Sequence, residues 1–254
     1  MAKTTNNGVE ISYRVIGDGE RDLVLVHGWM VSGAVFDDLI EELDTSRWRL
    51  IVPDFRGSGG SGGATCYELA DYVSDLRAVV DDVGTTDFGL VGHSMGGQIA
   101  QLFAAAYPDD VDALILLSPV PLSGMELPED AHGLFLSSGE DRDKQAMILD
   151  TACIDLKDVA KARLLDDAGR IPEACIQAAY KAWTSGDDVD KLSAIEAKTL
   201  VVASDDPFLP PAFLKSAVVE PIADARLIKI DGAGHYIPVE RNAETAEVIE
   251  NFLS

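Results

Sequence analysis

Short, continuous apolar runs alternate with helical patterns along most of the chain, and this alternation constrains the fold more than any other feature. The runs occupy residues 23–26, 50–52, 88–91, 113–117 and 199–203. Strands that are buried on both faces have this composition, because helices cover both sides of a parallel sheet. Helical spacing of apolar residues lies between the runs, most clearly over residues 67–83. The alternation predicts an α/β fold built on a mostly parallel sheet.

Two regions depart from this rhythm. Residues 9–15 alternate apolar and polar side chains after the turn dipeptide Asn7-Gly8, which predicts an antiparallel edge hairpin over residues 4–15. From about residue 118 to 194 the strands stop, and residues 147–153, 156–165 and 172–183 suit short helices. We therefore expect an α/β core formed by residues 1–118 and 195–254, with residues 119–194 inserted as a helical unit.

Polar, glycine-rich loops follow the predicted strands. In open α/β sheets, ligands bind beyond the carboxyl ends of the strands. We therefore expect a functional site at that edge, where the chain carries His27, Asp54, Ser94, the pair Asp205-Asp206, and His235.

Ser94 has the sequence context of a nucleophile. It lies in the pattern Gly92-x-Ser94-x-Gly96, between a predicted strand and a predicted helix. A sharp strand-to-helix turn presents a serine hydroxyl at the end of the sheet, and small residues on both sides allow that turn. A serine hydroxyl becomes a nucleophile when a base accepts its proton.

The base is expected to be one of the four histidines. His235 follows the last strand in a loop of small residues, and we predict that it is the base. The neighbouring side chain of His93 points away from Ser94 at such a turn, so we predict a packing or supporting role. His27 is expected to shape its loop by a hydrogen bond. His132 lies in the helical insertion, and we expect it at the surface, with the lining of a pocket as the alternative.

The adjacent pair Asp205-Asp206 follows a buried strand and supplies the candidate acid that orients the base. We favour Asp206, with Asp205 as the alternative. No partners with metal-ligand spacing accompany the pair, so we expect no metal. An acyl-transfer site also needs donors for an oxyanion. We expect these to be the backbone N–H of Met95, at a helix N-terminus, and the backbone N–H of Trp29.

Taken together, these motifs resemble the α/β-hydrolase fold superfamily, in its serine esterase and lactonase type with a helical cap. They are His27-Gly28-Trp29, Asp54-x-Arg56-Gly57-x-Gly59, residues 92–97, Asp206 and Gly234-His235, and the order Ser…Asp…His agrees with that fold. The resemblance implies an eight-stranded, mostly parallel sheet flanked by helices. It also implies a cap after the sixth strand, which is the position of residues 119–194.

The nucleophile narrows the expected chemistry. Relatives that act as haloalkane dehalogenases or epoxide hydrolases carry aspartate where this chain has Ser94, so we expect an acyl-enzyme and hydrolysis of a small-molecule ester or lactone without a cofactor. Perhydrolase (cofactor-free haloperoxidase) or C–C bond hydrolase activity on the same residues remains an alternative. A non-catalytic binding or receptor protein is the alternative of another class. We expect substrate contacts at Trp29, Met30, Phe135 and Trp183, and a small acyl group because Trp29 narrows the acyl side.

Composition limits the partners. Forty-four acidic residues against twenty basic ones give a formal net charge of −24, which disfavours nucleic acid and anionic membranes as partners. Adaptation to salt is one hypothesis for this charge. Cys66, Cys153 and Cys175 show no metal spacing and are expected to be small buried side chains in a reducing compartment. The first residues lack the apolar core of a signal peptide, so we expect a cytoplasmic protein.

Overall fold

The computed structural model describes residues 1–254 and contains one eight-stranded sheet. The strands lie in the order β1-β2-β4-β3-β5-β6-β7-β8. Their bounds are β1 Ala2–Asn6, β2 Val9–Ile16, β3 Arg21–Val26, β4 Trp48–Pro53, β5 Phe88–His93, β6 Val111–Leu117, β7 Lys198–Ala203 and β8 Ala225–Lys229.

The sheet is mostly parallel, as predicted. β1 pairs antiparallel with β2, and β2 pairs antiparallel with β4; every other neighbouring pair is parallel. The continuous apolar runs of β3, β5 and β6 are buried because these strands lie in the middle of the sheet with helices on both faces. The predicted fold class is therefore confirmed.

The helices have local reasons for their bounds. For example, α2 begins after a capping box in which Glu68 and Asp71 each accept a hydrogen bond from the other's backbone N–H, and it ends at Gly84, whose φ is 70°. The helices are α1 Asp37–Glu42, α2 Leu69–Val83, α3 Met95–Ala106, α4 Glu129–Leu136, α5 Arg142–Ala152, α6 Asp158–Ala168, α7 Glu173–Thr184, α8 Pro211–Leu214, α9 Ile237–Glu240 and α10 Asn242–Phe252.

The segment between β6 and β7 is helical and contains α4 to α7, followed by a 3-10 turn at Val189–Ala194. The sequence pattern indicated α5, α6 and α7 but not α4. That helix is eight residues long and has Gly133 in its interior, so its local propensity is weak. Its buried Phe135 packs against Trp29, which shows that tertiary contacts stabilise α4.

Two smaller expectations need correction. Cys66 is exposed, in contrast to the buried Cys175, because it lies in the loop before α2 rather than in an apolar element. The sequence also predicts a single helix over residues 211–218, whereas the structure has α8 followed by a π-helical turn at Lys215–Val219. None of the helices has the length and apolar character needed to cross a membrane.

Candidate active site

Ser94 occupies a strained turn between β5 and α3. Its backbone has φ 58° and ψ −123°, a conformation that residues other than glycine rarely adopt. The flanking glycines permit the close packing of this turn. A Cβ on Gly92 would lie 2.5 Å from the carbonyl oxygen of Gly96, and a Cβ on Gly96 would lie 2.2 Å from the carbonyl oxygen of Val26. The spacing of the motif therefore follows from backbone contacts.

Ser94, His235 and Asp206 form a continuous hydrogen-bonded chain. His235 Nε2 lies 2.8 Å from Ser94 Oγ, and His235 Nδ1 lies 2.6 Å from Asp206 Oδ2. A carboxylate only accepts hydrogen bonds, so Nδ1–H of His235 donates to Asp206 and Nε2 is free to accept the hydroxyl proton of Ser94. This tautomer is the one that a general base beside a serine requires.

The two adjacent aspartates have different surroundings. Asp206 is buried, and its Oδ1 also accepts a hydrogen bond from the backbone N–H of Phe208. Burial alone would raise the pKa of Asp206, but its interaction with His235 and its backbone donors hold the pKa below the usual value of a carboxyl. Asp205 is 39% exposed, pairs with Lys229 and accepts a hydrogen bond from the backbone N–H of Gly232. The contacts to His235 thus belong to Asp206.

Buried groups support the loop that carries His235. The Nε2–H of His93 donates to the carbonyl oxygen of His235 over 2.9 Å. Burial lowers the pKa of His93 to about 3, so its ring is neutral at ordinary pH. The backbone N–H of His235 donates to the carbonyl of Ala152, at the end of α5. The carboxylate of Glu240 accepts hydrogen bonds from the backbone of Gly234 and Tyr236.

A second loop approaches Ser94 at the end of β3. His27 Nε2 accepts a hydrogen bond from the backbone N–H of Phe55, so Nδ1–H donates to the carbonyl of Gly28. These bonds agree with the predicted role of His27 in shaping its loop. The backbone N–H groups of Trp29 and Met95 donate no hydrogen bond within the chain. Met95 is the first residue of α3, where N–H groups have no intrahelical partner.

A small apolar cavity opens onto Ser94. Its volume is about 40 Å³, which is well below the range of pockets that enclose drug-sized ligands. Trp29 stacks against Phe135 in its wall, with ring centroids 5.4 Å apart. The lining residues are Trp29, Ser94, Val120, Met125, Phe135, Ile148, Ala152, Trp183, Phe208, His235 and Tyr236.

Met30 does not line this cavity, in contrast to the expectation from sequence. The backbone of Met30 has φ 63°, and this residue lines a separate small cavity together with Cys175 and Tyr72. Tyr180 is fully buried behind Phe135, and its hydroxyl contacts His132 Nδ1. His132 is exposed, as predicted.

Sequence reasoning missed several residues at the site. The wall residues Ile148 and Tyr236 lie in patterns that indicate only packing, so no local signal marks them. Phe208 lies two residues after Asp206, and this proximity was the one available clue. Glu240 gave no signal either, because its role depends on backbone donors from distant loops.

Comparison with known proteins shows the family. The chain matches the alpha/beta hydrolase family over residues 23–248, so it belongs to that family. It is 27% identical to a non-heme haloperoxidase of Rhodococcus erythropolis over 91% of both chains. Two other curated relatives match over shorter segments, which make up 30% and 43% of their own lengths.

Solved structures agree with this family. An esterase from Exiguobacterium antarcticum superimposes with a TM-score of 0.90 at 22% identity, covering 97% of this chain and 96% of the other. Est816, described as an N-acyl homoserine lactone degrading enzyme, superimposes with a TM-score of 0.86 at 25% identity, covering 99% and 100%. The chain is therefore a hydrolase-family protein with the fold expected from its motifs.

Proposed function

We propose that this chain is a carboxylic ester hydrolase that cleaves a small-molecule ester or lactone through an acyl-enzyme on Ser94. The observation that carries the proposal is the chain of contacts from Ser94 Oγ through His235 to the buried Asp206. A serine, a histidine of the correct tautomer and a buried carboxylate together activate the hydroxyl.

Acylation begins when Ser94 Oγ attacks the carbonyl carbon of the substrate and its proton passes to His235 Nε2. The backbone N–H groups of Trp29 and Met95 have no partner within the chain, so they are free to donate to the oxyanion that forms. The tetrahedral intermediate then collapses. The C–O bond to the leaving alcohol breaks, and that oxygen takes the proton from His235.

Deacylation repeats these steps with water as the nucleophile. His235 Nε2 accepts a proton from the water as its oxygen attacks the acyl carbon. The ester bond to Ser94 Oγ breaks, and Ser94 recovers its proton from His235. Asp206 remains ionised throughout, which agrees with its lowered pKa, and it stabilises the imidazolium formed in each half of the reaction.

The cavity supports a small, apolar acyl group. The aromatic rings of Trp29, Phe135, Trp183 and Phe208 surround the space at Ser94, and its polar side chains are chiefly those of the reacting residues. Residues 119–194 contribute Phe135 and Trp183 to this wall, which supports their assignment as a cap over an α/β core of residues 1–118 and 195–254. The likeness to Est816 supports a lactone as one form of the substrate.

Perhydrolysis is a second candidate, favoured by the relative named a non-heme haloperoxidase, which matches 91% of this chain. In this reaction hydrogen peroxide replaces water in deacylation. Its oxygen attacks the acyl carbon, the bond to Ser94 Oγ breaks, and a peracid leaves. The same residues would serve both reactions, so they differ only in the nucleophile that the cavity admits.

The test is hydrolysis of p-nitrophenyl acetate and of a series of alkyl esters and lactones. We expect turnover by the wild type, and a fall in kcat on the order of 10⁶-fold in Ser94→Ala and in His235→Ala. Adding hydrogen peroxide and assaying peracid tests the second candidate. Absence of turnover in the wild type, together with tight binding of a small ligand, would instead indicate a binding protein.

A further inference from the structure

The loop that presents the Trp29 N–H needs support from outside itself. Met30 has φ 63°, which is costly for a residue other than glycine and persists only when the surroundings hold it. Trp29, Met30 and Ser32 are all buried. Their conformation must therefore be fixed by the groups packed around them.

Asp167, near the end of α6, binds this loop directly. Its Oδ2 lies 2.7 Å from the backbone nitrogen of Ser32 and 2.8 Å from Ser32 Oγ, and its Oδ1 lies 2.9 Å from the same hydroxyl. Both partners are buried, with Asp167 9% exposed and Ser32 3% exposed. Hydrogen bonds to a charged acceptor are stronger and shorter than neutral ones, so this carboxylate holds Ser32 firmly.

Two further hydrogen bonds hold the same loop, one before and one after the contact between Asp167 and Ser32. The indole N–H of Trp29 donates to the carbonyl of Ile176 in α7 over 2.9 Å. The backbone N–H of Gly33 donates to Oδ1 of Asp54 in the core over 2.9 Å. Asp167 and Ile176 lie between β6 and β7, so the helical segment fixes the part of the loop around Met30.

We infer that Asp167 is a positioning residue for the oxyanion donor of Trp29. It does not line the cavity at Ser94, and it acts on the reaction through Ser32 and the backbone of the loop. The inference rests on the proposed function, in which the Trp29 N–H stabilises the oxyanion. It assigns the helical segment a part in the catalytic geometry as well as in lining the cavity.

Asp166 provides a matched control one position earlier on the same helix. Its carboxylate is 61% exposed and pairs with Arg142 at the surface. Asp166→Ala and Asp167→Ala make the same change in charge on the same helix, but only the second removes the contacts to Ser32. Asp167→Asn is the conservative variant, because an amide oxygen can accept from the Ser32 N–H while the amide nitrogen donates to Ser32 Oγ.

The experiment measures kcat and KM per active site, with the sites counted by titration with a fluorophosphonate. It also measures Ki for 1-butaneboronic acid. Ser94 Oγ adds to boron and its proton passes to His235, which gives a tetrahedral anion that mimics the transition state. A purely structural role would lower the number of titrated sites and leave the rate per site and the Ki unchanged.

We expect Asp167→Ala to lower kcat per site by about 10- to 100-fold, because small misplacements of a catalytic group have effects of this size. Ki for the boronic acid should rise by a similar factor, whereas KM changes little. Asp166→Ala should match the wild type, and Asp167→Asn should recover most of the rate. If Asp167→Ala does not fold, Ser32→Ala should show the same parallel change in kcat and Ki at a smaller size.

Equal rates per site and equal Ki values in Asp167→Ala and Asp166→Ala would overturn the inference. If Asp167→Ala does not fold and Ser32→Ala is tested in its place, an unchanged Ki in Ser32→Ala would also overturn the inference. Failure of the proposed function looks different, because the wild type would then show no turnover, or Ser94→Ala would hydrolyse esters as the wild type does. In that case both the proposed function and the inference are wrong.

Discussion

Asp205 and Asp206 are adjacent in the sequence, yet one carboxylate is exposed and the other is buried. β7 ends at Ala203, and the chain then turns so that Asp206 points to His235 while Asp205 reaches Lys229 at the surface. The sequence favoured Asp206 without excluding Asp205, because the direction of the turn depends on packing. The identification of Asp206 as the acid that orients His235 stays a prediction that mutation can test.

Asparagine at each position distinguishes the two acids. Asp206→Asn should reduce kcat on the order of 10⁴-fold, because an amide can donate to His235 and favour the wrong tautomer. Asp205→Asn breaks only an exposed ion pair and a hydrogen bond to the Gly232 N–H, and should change kcat less than about tenfold. Steady-state kinetics on one ester measures both. A severe loss in Asp205→Asn with a mild one in Asp206→Asn would transfer the role to Asp205.

His93 makes stability depend on pH. Its pKa is about 3 in the folded protein and 6.5 as its ordinary value, so the unfolded chain binds more protons between those values. Stability therefore falls as pH decreases from about 6.5 towards 3, by up to about 1.4 kcal/mol per pH unit.

Urea unfolding of the wild type and of His93→Gln across this range measures the effect. The glutamine amide can still donate to the His235 carbonyl but has no titratable group, so its free energy of unfolding should fall less steeply with acid. Identical slopes in the two proteins would contradict the assignment of a neutral, buried His93.

At the level of elements, the helical segment contacts both loops that surround Ser94. In this segment, the carbonyl oxygen of Ala152 accepts a hydrogen bond from the backbone N–H of His235, and the carboxylate of Asp167 accepts one from the backbone N–H of Ser32. Glu240, at the end of α9, adds to these contacts because its Oε2 also accepts from the backbone N–H groups of Ile154 and Asp155, each over 2.7 Å. One carboxylate thus joins the loop after α5 to the loop that carries His235.

Glu240→Gln should disturb both loops. The side chain keeps its size, but it loses one acceptor oxygen and places amide protons among backbone donors. We expect the free energy of unfolding to fall by about 2 to 4 kcal/mol, because buried N–H groups are left without acceptors. We also expect kcat to fall about tenfold as His235 moves. The exposed Glu247→Gln on α10 is the control, and equal stability of the two variants would refute this account of Glu240.

The sequence was most informative about the elements and least informative about contacts between them. Apolar runs located the central strands because those strands are buried on both faces. The glycines around Ser94 identified the turn because their spacing reflects backbone packing. α4 was missed because its stability comes from the packing of Phe135, and Asp167 gave no signal because its partner Ser32 lies more than a hundred residues away.

At the scale of the whole molecule, the formal net charge of −24 is the dominant feature. Many acidic side chains form ion pairs at the surface, but basic residues number twenty against forty-four acids. Many carboxylates therefore have no basic side chain with which to pair. Such self-repulsion opposes the compact state, and salt relieves it.

Added NaCl should therefore stabilise the fold. The Debye length decreases from about 30 Å at 0.01 M salt to about 3 Å at 1 M, so repulsion between distant carboxylates is largely screened. We expect the free energy of unfolding and the Tm to rise over this range. Sucrose is the control, because it stabilises without screening charge. A Tm that stays level or falls with NaCl would reject the hypothesis of adaptation to salt.

The central claim is that Ser94 carries an acyl group during turnover, and trapping that group tests it most directly. We predict that rapid mixing with p-nitrophenyl acetate gives a burst of p-nitrophenolate, and that peptide mass spectrometry after acid quenching finds one acetyl group on Ser94. Ser94→Ala should give neither signal. Full turnover by Ser94→Ala, or an acetyl group on a different residue of an active wild-type protein, would contradict the account.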